Sequence, residues 1–222
     1  MIASAAGSDH NAAQRFVDAY DEKHAIVSGS NGQSVLEIGS GEWPFPIPLV
    51  KSDAGWHFDA EAGHEEVLDR RIGRNELAAI QASLAYVDAQ REYYQRNPDH
   101  SPLLHYAQVL ASAPGKRDGL YWETSGDEQA SPLGAGYARA RAQGYEGTKH
   151  QAFHGYYYRI LTAQGPHAPG GKYDYVVRGK MIGGFAAVAY PAQWGASGVM
   201  TFIVNHDGVV YQKDLGPGTA KI

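Results

Sequence analysis

The stretch Val199-Met200-Thr201-Phe202-Ile203-Val204-Asn205-His206-Asp207-Gly208-Val209-Val210-Tyr211-Gln212-Lys213 decides the fold. Two β-rich runs flank His206-Asp207-Gly208, where Asp and Gly tolerate the positive φ of a tight turn, so the pair reads as an antiparallel hairpin. Working back toward the amino terminus, Phe185 to Tyr190, Tyr173 to Arg178 and Tyr156 to Ala163 show the same short runs between turns. No long crossover separates them, which excludes a parallel βαβ plan as the main reading and predicts an antiparallel meander over Tyr156 to Asp214.

Upstream, His64 to Asn97 carries the strongest helical period in the chain, with Leu77, Ile80, Leu84, Val87 and Tyr94 marking one stripe. Gly73 is a candidate break, and Asn97-Pro98 stops the helix. A second, shorter helix is expected after Pro102 through Leu110, and another near Gly136 to Ala142. Nearer the amino terminus, Ala12 to His24 reads as a short amphipathic helix with Asp9 or Asn11 as N-cap, and Val35 to Ile38 as a strand. Pro44, Pro46 and Pro48 force an extended edge, because proline cannot donate to a ladder. Gly55-Trp56-His57-Phe58-Asp59 is a short strand with Trp56 and Phe58 on one face. The fold class expected is α+β: a long helix packed on a C-terminal antiparallel meander. Residues 1–62 would form a small Pro/Trp-rich lobe and 63–222 the helix, a variable loop and the meander, together one cooperative unit.

Composition narrows the classes. The 222 residues are 43% hydrophobic and 19% charged, with formal charge −5 and no apolar run of membrane-span length. There is no basic stripe for a phosphate backbone, so nucleic acid is excluded as a partner. With no cysteine, disulfides, thiolate nucleophiles and thiolate-bound metals are excluded. Met1 to Gly7 lacks the positive flank and apolar core of an export signal.

Several strings together resemble a known family: Gly41-Glu42-Trp43-Pro44-Phe45-Pro46-Ile47-Pro48-Leu49-Val50, Gly55-Trp56-His57-Phe58-Asp59, Arg70-Arg71-Ile72-Gly73-Arg74-Asn75-Glu76, His154-Gly155-Tyr156-Tyr157-Tyr158 and Ser197-Gly198-Val199-Met200-Thr201-Phe202. They are similar to the bacterial exported family catalogued as domain of unknown function 2950. The resemblance implies export to the periplasm or beyond, with the signal peptide trimmed from this chain, and implies no activity, substrate or catalytic residue. The order of helix, variable loop and meander is also similar to the globular heads of pilin-like proteins, without their apolar N-terminal helix.

Candidate sites are few. Arg70, Arg71 and Arg74 with Glu66, Asp69 and Glu76 surround Gly73; such a group either clamps an anion or is a helix-surface ion-pair network. His150 and His154 have the i,i+4 spacing of a zinc pair on a helix, with His167 nearby, but Gly155 and the tyrosines place His154 at a strand, so no metal is expected. Trp43, Trp56, Trp122, Trp194 and the tyrosines, Tyr157 among them, either pack the core or make an exposed platform for sugar rings or a protein. Gly195-Ala196-Ser197-Gly198 is not a nucleophile elbow, and Gly179-Lys180 fails as a phosphate loop. No cofactor is expected. These readings favour a non-enzymatic envelope or extracellular module binding a protein or glycan. The alternatives are a hydrolase or transferase acting on envelope or extracellular polymer, and self-association through strand edges.

Overall fold

The computed structural model describes residues 2–29, 32–136 and 151–221. The chain divides into two compact units, Met1–Arg70 and Arg71–Ile222. Their boundary falls inside one continuous helix, at Arg70 and Arg71.

The first unit opens with α1 (Ile2–Glu22), which starts well before the expected N-cap. Then come β1 (His24–Ser28), β2 (Ser34–Ile38), β3 (Trp43–Pro44), β4 (Leu49–Ser52) and β5 (Gly55–Phe58), followed by the first part of α2 (Ala60–Arg96). The strands make one antiparallel sheet in the order β1-β2-β4-β5, with β3 also on β2. The amide of Gly39, at φ +74°, donates to the carbonyls of Ala19 and Lys23 and ties the end of α1 to the end of β2. β1 was not foreseen, because the helical period of α1 runs up to His24 and hides the change. Asp59 caps α2 by accepting the amide of Ala62 at 3.1 Å.

α2 is not broken at Gly73. A single glycine costs a helix about 1 kcal/mol, and side-chain anchors on both sides of Gly73 outweigh that. The helix ends where Asn97 takes the left-handed conformation, φ +48°, before Pro98. Its buried face in the second unit keeps only part of the expected stripe: Val87 is buried and Ile80 packs against the core. Leu77 and Leu84 are 62% and 42% exposed, while Ala79, Ser83, Tyr86, Val87, Gln90 and Tyr93 are buried. Polar residues can occupy that face because each is satisfied. The Ser83 hydroxyl donates to the Ala79 carbonyl, and Gln90 pairs with the Ala107 backbone in both directions at 2.8 Å.

After α2, Pro102 to Leu110 forms no helix: the chain turns through bends into β6 (Val109–Ala111), which pairs in parallel with β7 (Gly119–Tyr121). The helix expected near Gly136 to Ala142 falls largely outside the described residues. The meander consists of β8 (Tyr156–Leu161), β13 (Ala186–Pro191), β14 (Met200–Asn205) and β15 (Val210–Asp214), all antiparallel, in the order β15-β14-β13-β8. Between β8 and β13, Tyr173 to Arg178 does not join this sheet. β9 (Ala163–Gln164) with β10 (Tyr173–Asp174), and β11 (Val176–Val177) with β12 (Lys180–Met181), form two small ribbons.

The register places Tyr156 and Tyr158 on the sheet face that carries Ala187, Ala189, Phe202 and Val204. Tyr157 lies on the opposite face, its ring 5.6 Å from that of Tyr190. Small residues along β13 bring the α2 residues Tyr86 and Val87 into one cluster with Ala186, Ala187, Phe185 and Val204. Each large side chain buried this way contributes about 1.5–3 kcal/mol.

Candidate functional site

Three of the strings that carried the resemblance meet in the second unit. Arg71 Nε donates to the Ala196 carbonyl at 3.1 Å, and Asn75 Nδ2 donates to the Ser197 carbonyl at 2.9 Å. Glu76 Oε1 accepts the amides of Val199 and Met200, each at 2.9 Å. The Tyr156 hydroxyl donates to the Met200 carbonyl at 2.9 Å, and burial pushes that phenol well above its usual range. Glycine is needed at the crossing points. At Gly155, φ +73°, a Cβ would come 2.6 Å from Asn75 Nδ2 and 2.9 Å from Ser197 Cβ. These groups are consumed in holding α2 to the segment before β14, so Arg71 acts as a fastener. Arg74 is exposed.

Arg70 belongs to the first unit and does something different. Its Nε meets Glu66 at 2.7 Å, Nη1 donates to the Pro44 carbonyl at 2.7 Å, and its guanidinium carbon sits 5.6 Å from the centre of the Trp43 ring. This cation marks one end of an aromatic face. Residues opposite one another in an antiparallel register point the same way, so Leu36, Ile38, Trp43, Leu49, Trp56 and Phe58 share one side of the sheet with Lys51. Leu36 and Ile38 are buried, whereas Trp43, Trp56 and Phe58 are 48%, 57% and 48% exposed. Phe45 is half-buried and supports the row: its ring lies 6.2 Å from Trp43, 5.7 Å from Phe58 and 5.5 Å from Phe16, all edge-to-face. The Pro44-Phe45-Pro46 path fixes this support, since two prolines leave Phe45 little backbone freedom.

The family described as "Protein of unknown function (DUF2950)" matches residues 1–222, the whole chain. The chain belongs to the DUF2950 family. No curated protein and no solved structure matches it, and the likeness to pilin heads is therefore without support. Among the described residues no helix is long and apolar enough to cross a membrane.

The other expected positions of this DUF2950 chain are scattered. Trp122 is half-buried, with the Arg117 guanidinium 5.7 Å from its ring, and borders a cavity of about 580 Å³ within the loop 111–123. His154 sits in the turn before β8 with φ +48°, and with Tyr86 and Tyr158 it lines a cleft of about 250 Å³ beside α2. His150 lies outside the described residues. Among the described residues no three His, Asp or Glu side chains are grouped to hold a metal.

One polar cluster was not visible in the sequence. His105 Nδ1 meets the Tyr106 carbonyl at 3.0 Å, which requires the hydrogen on that nitrogen. Its Nε2 then lies 2.9 Å from both Asp99 Oδ2 and Lys180 Nζ. One nitrogen cannot donate to a carboxylate and accept from an ammonium at once, so Nε2 serves either Asp99 or Lys180 in any one arrangement. Burial pulls the Asp99 carboxyl upward. The His105 hydrogen bond and charge, Lys180 and the Ser101 amide outweigh it and hold the group below the usual carboxylate range. His105 is 7% exposed, and Lys180, at 39%, is the group solvent reaches most. These residues are 6 and 75 positions apart, and no local spacing announces them. Lys180 drew notice only as a failed phosphate-loop lysine.

Proposed function

We propose that this chain is an exported, non-enzymatic module that binds a glycan polymer of the cell envelope or extracellular space through Trp43, Trp56 and Phe58. The observation that carries the reading is the half-exposure of three large rings on one side of one sheet. Rings left in water at that extent, in a row, are the expected mark of a contact surface. Flat rings stack on the apolar faces of sugars. Lys51 on the same face and Arg70 over Trp43 supply donors for hydroxyl and carboxylate groups at the margin. The interleaving of charge with aromatic area favours a glycan over the continuous apolar core of a protein interface. Export rests on the family resemblance, and the cysteine-free composition is compatible with it.

The test is co-sedimentation with insoluble peptidoglycan, cellulose and chitin. Binding to at least one polymer that is lost in Trp56→Ala and Trp43→Ala supports the reading; binding to none of them, or binding indifferent to both changes, overturns it.

One observation favours the enzymatic alternative, a hydrolase or transferase acting on such a polymer: the close-set carboxylate, imidazole and amine of Asp99, His105 and Lys180. Under that reading Lys180→Met abolishes turnover of a soluble oligosaccharide panel while leaving polymer binding intact.

A further inference from the structure

β1 is an outer strand of the first unit's sheet among the described residues, and the direction of its outward backbone groups can be read from both of its ends. The Gly29 amide donates to the Gln33 carbonyl, and the Gly39 amide donates to the Lys23 carbonyl. In an antiparallel ladder, inward and outward residues alternate. Lys23, Ala25, Val27 and Gly29 therefore turn their amides and carbonyls toward β2, whereas His24, Ile26 and Ser28 turn theirs to the open edge. Outer strands are normally guarded by lysine, proline, a bulge or a covering element. His24-Ala25-Ile26-Val27-Ser28 has no lysine or proline, pairs with β2 at every position without a bulge, and leaves Ile26 65% exposed. The His24 side chain is folded back, stacked on Tyr20 at 3.9 Å with Nδ1 at the Tyr20 carbonyl, and does not screen the strand.

We infer that β1 pairs with β1 of a second copy of this chain, antiparallel, with Ile26 on the two-fold axis. The argument is one of self-complementarity. The outward residues are three, evenly spaced and centred on Ile26, so a two-fold axis through that position sets Ile26 against Ile26, His24 against Ser28 and Ser28 against His24. Every outward amide meets an outward carbonyl, and the closed two-fold contact leaves neither β1 edge open. An arbitrary extended peptide would fit the backbone equally well, but it would present its own outer edge in place of the one it covers, whereas a second copy closes both β1 edges at once. β5, the outer strand at the other end of the sheet order, admits a two-fold pairing about His57 but offers a shorter edge. The Asp59 amide donates to the Pro48 carbonyl, so only Trp56 and Phe58 point outward, with His57 between them.

The chain lacks cysteine, which makes the test clean. The mass of the wild-type chain is measured by light scattering across micromolar to high-micromolar concentration, together with Ile26→Lys and Ile26→Pro. The proline removes an outward amide only, so the β1–β2 ladder keeps its bonds and the variant folds. In addition, Ile26→Cys is oxidised beside a control, Leu77→Cys, at another exposed position. In a hydrogen-bonded pair the two Cα atoms lie about 5.5 Å apart, within disulfide reach. Expected are a wild-type species of twice the 24.0 kDa chain mass, association weakened at least about tenfold by either substitution, and covalent dimers from Ile26→Cys alone. A single-chain mass at every concentration overturns the inference. So does a dimer that persists in both variants, or one that the position-26 thiol does not join. Neither arm uses a glycan, so the outcome is separate from that of the aromatic face.

Discussion

Gly198 lies against the ring of Tyr156 so closely that a Cβ at position 198 would stand 2.5 Å from Tyr156 Cζ. Tyr156 has no room to retreat: it is fully buried, and its hydroxyl is held by the Met200 carbonyl. The glycine is there for space, and the tyrosine fills the space it leaves.

Gly198→Ala is accordingly expected to destabilise the second unit by about 2–4 kcal/mol, seen as a fall in Tm of roughly 5–15 °C. Gly73→Ala is the matched control. Nothing lies within 4 Å of a Cβ built there, so removing backbone entropy in mid-helix should stabilise by about 0.5–1 kcal/mol. A calorimetric scan showing equal effects for the two changes would contradict the packing described.

Gln90 behaves as a strand partner placed on a helix. Its carboxamide holds both the amide and the carbonyl of Ala107 at 2.8 Å with no exposure to water. Gln90→Leu keeps the volume and leaves two buried backbone groups unpaired, with an expected loss of about 2–4 kcal/mol in urea unfolding. A loss below about 0.5 kcal/mol, within the range of ordinary surface changes, would mean that the Ala107 pairing does not form.

Asp99 supplies a pH test. Its carboxyl is held below the usual range in the folded chain, so its stabilising effect is complete above the unfolded value of about 4 and fades as pH falls through the folded value. Asp99→Asn should cost about 1–2 kcal/mol at pH 7, and the gap from wild type should close toward pH 3. A difference that stays constant across that window would show that the carboxylate charge plays no part.

The meander was legible because strand alternation and the Asp207-Gly208 turn are local signals. The α2 face was legible only in part: Val87 and Ile80 pack inward as their spacing suggests, but Leu77 and Leu84 look like core by type and are exposed, and burial followed Ala79, Ser83 and Gln90, whose small size or hydrogen bonding suits a close approach. β1 was hidden by the helix running into it. Of the candidate site, Trp56 and Phe58 could be put on one face by the two-residue period. Trp43 joins them only through the β2–β3 and β2–β4 registers, which no spacing in the sequence reveals. Arg70, Arg71 and Arg74 look equivalent in sequence. Arg70 meets the Trp43 ring, Arg71 fastens the Ala196 carbonyl and Arg74 is exposed, and partners so distant in sequence leave no local mark that tells the three apart.

The most direct test of the central claim is the affinity of wild type and Trp56→Ala for the polymer that binds best, with thermal unfolding of both recorded alongside. At 57% exposed, Trp56 contributes little to the core, so its loss should move Tm by less than about 3 °C while weakening polymer binding at least about tenfold, near the 1–2 kcal/mol expected of a stacking ring. Unchanged affinity in a variant of unchanged stability would contradict the claim that the aromatic face is where this protein binds.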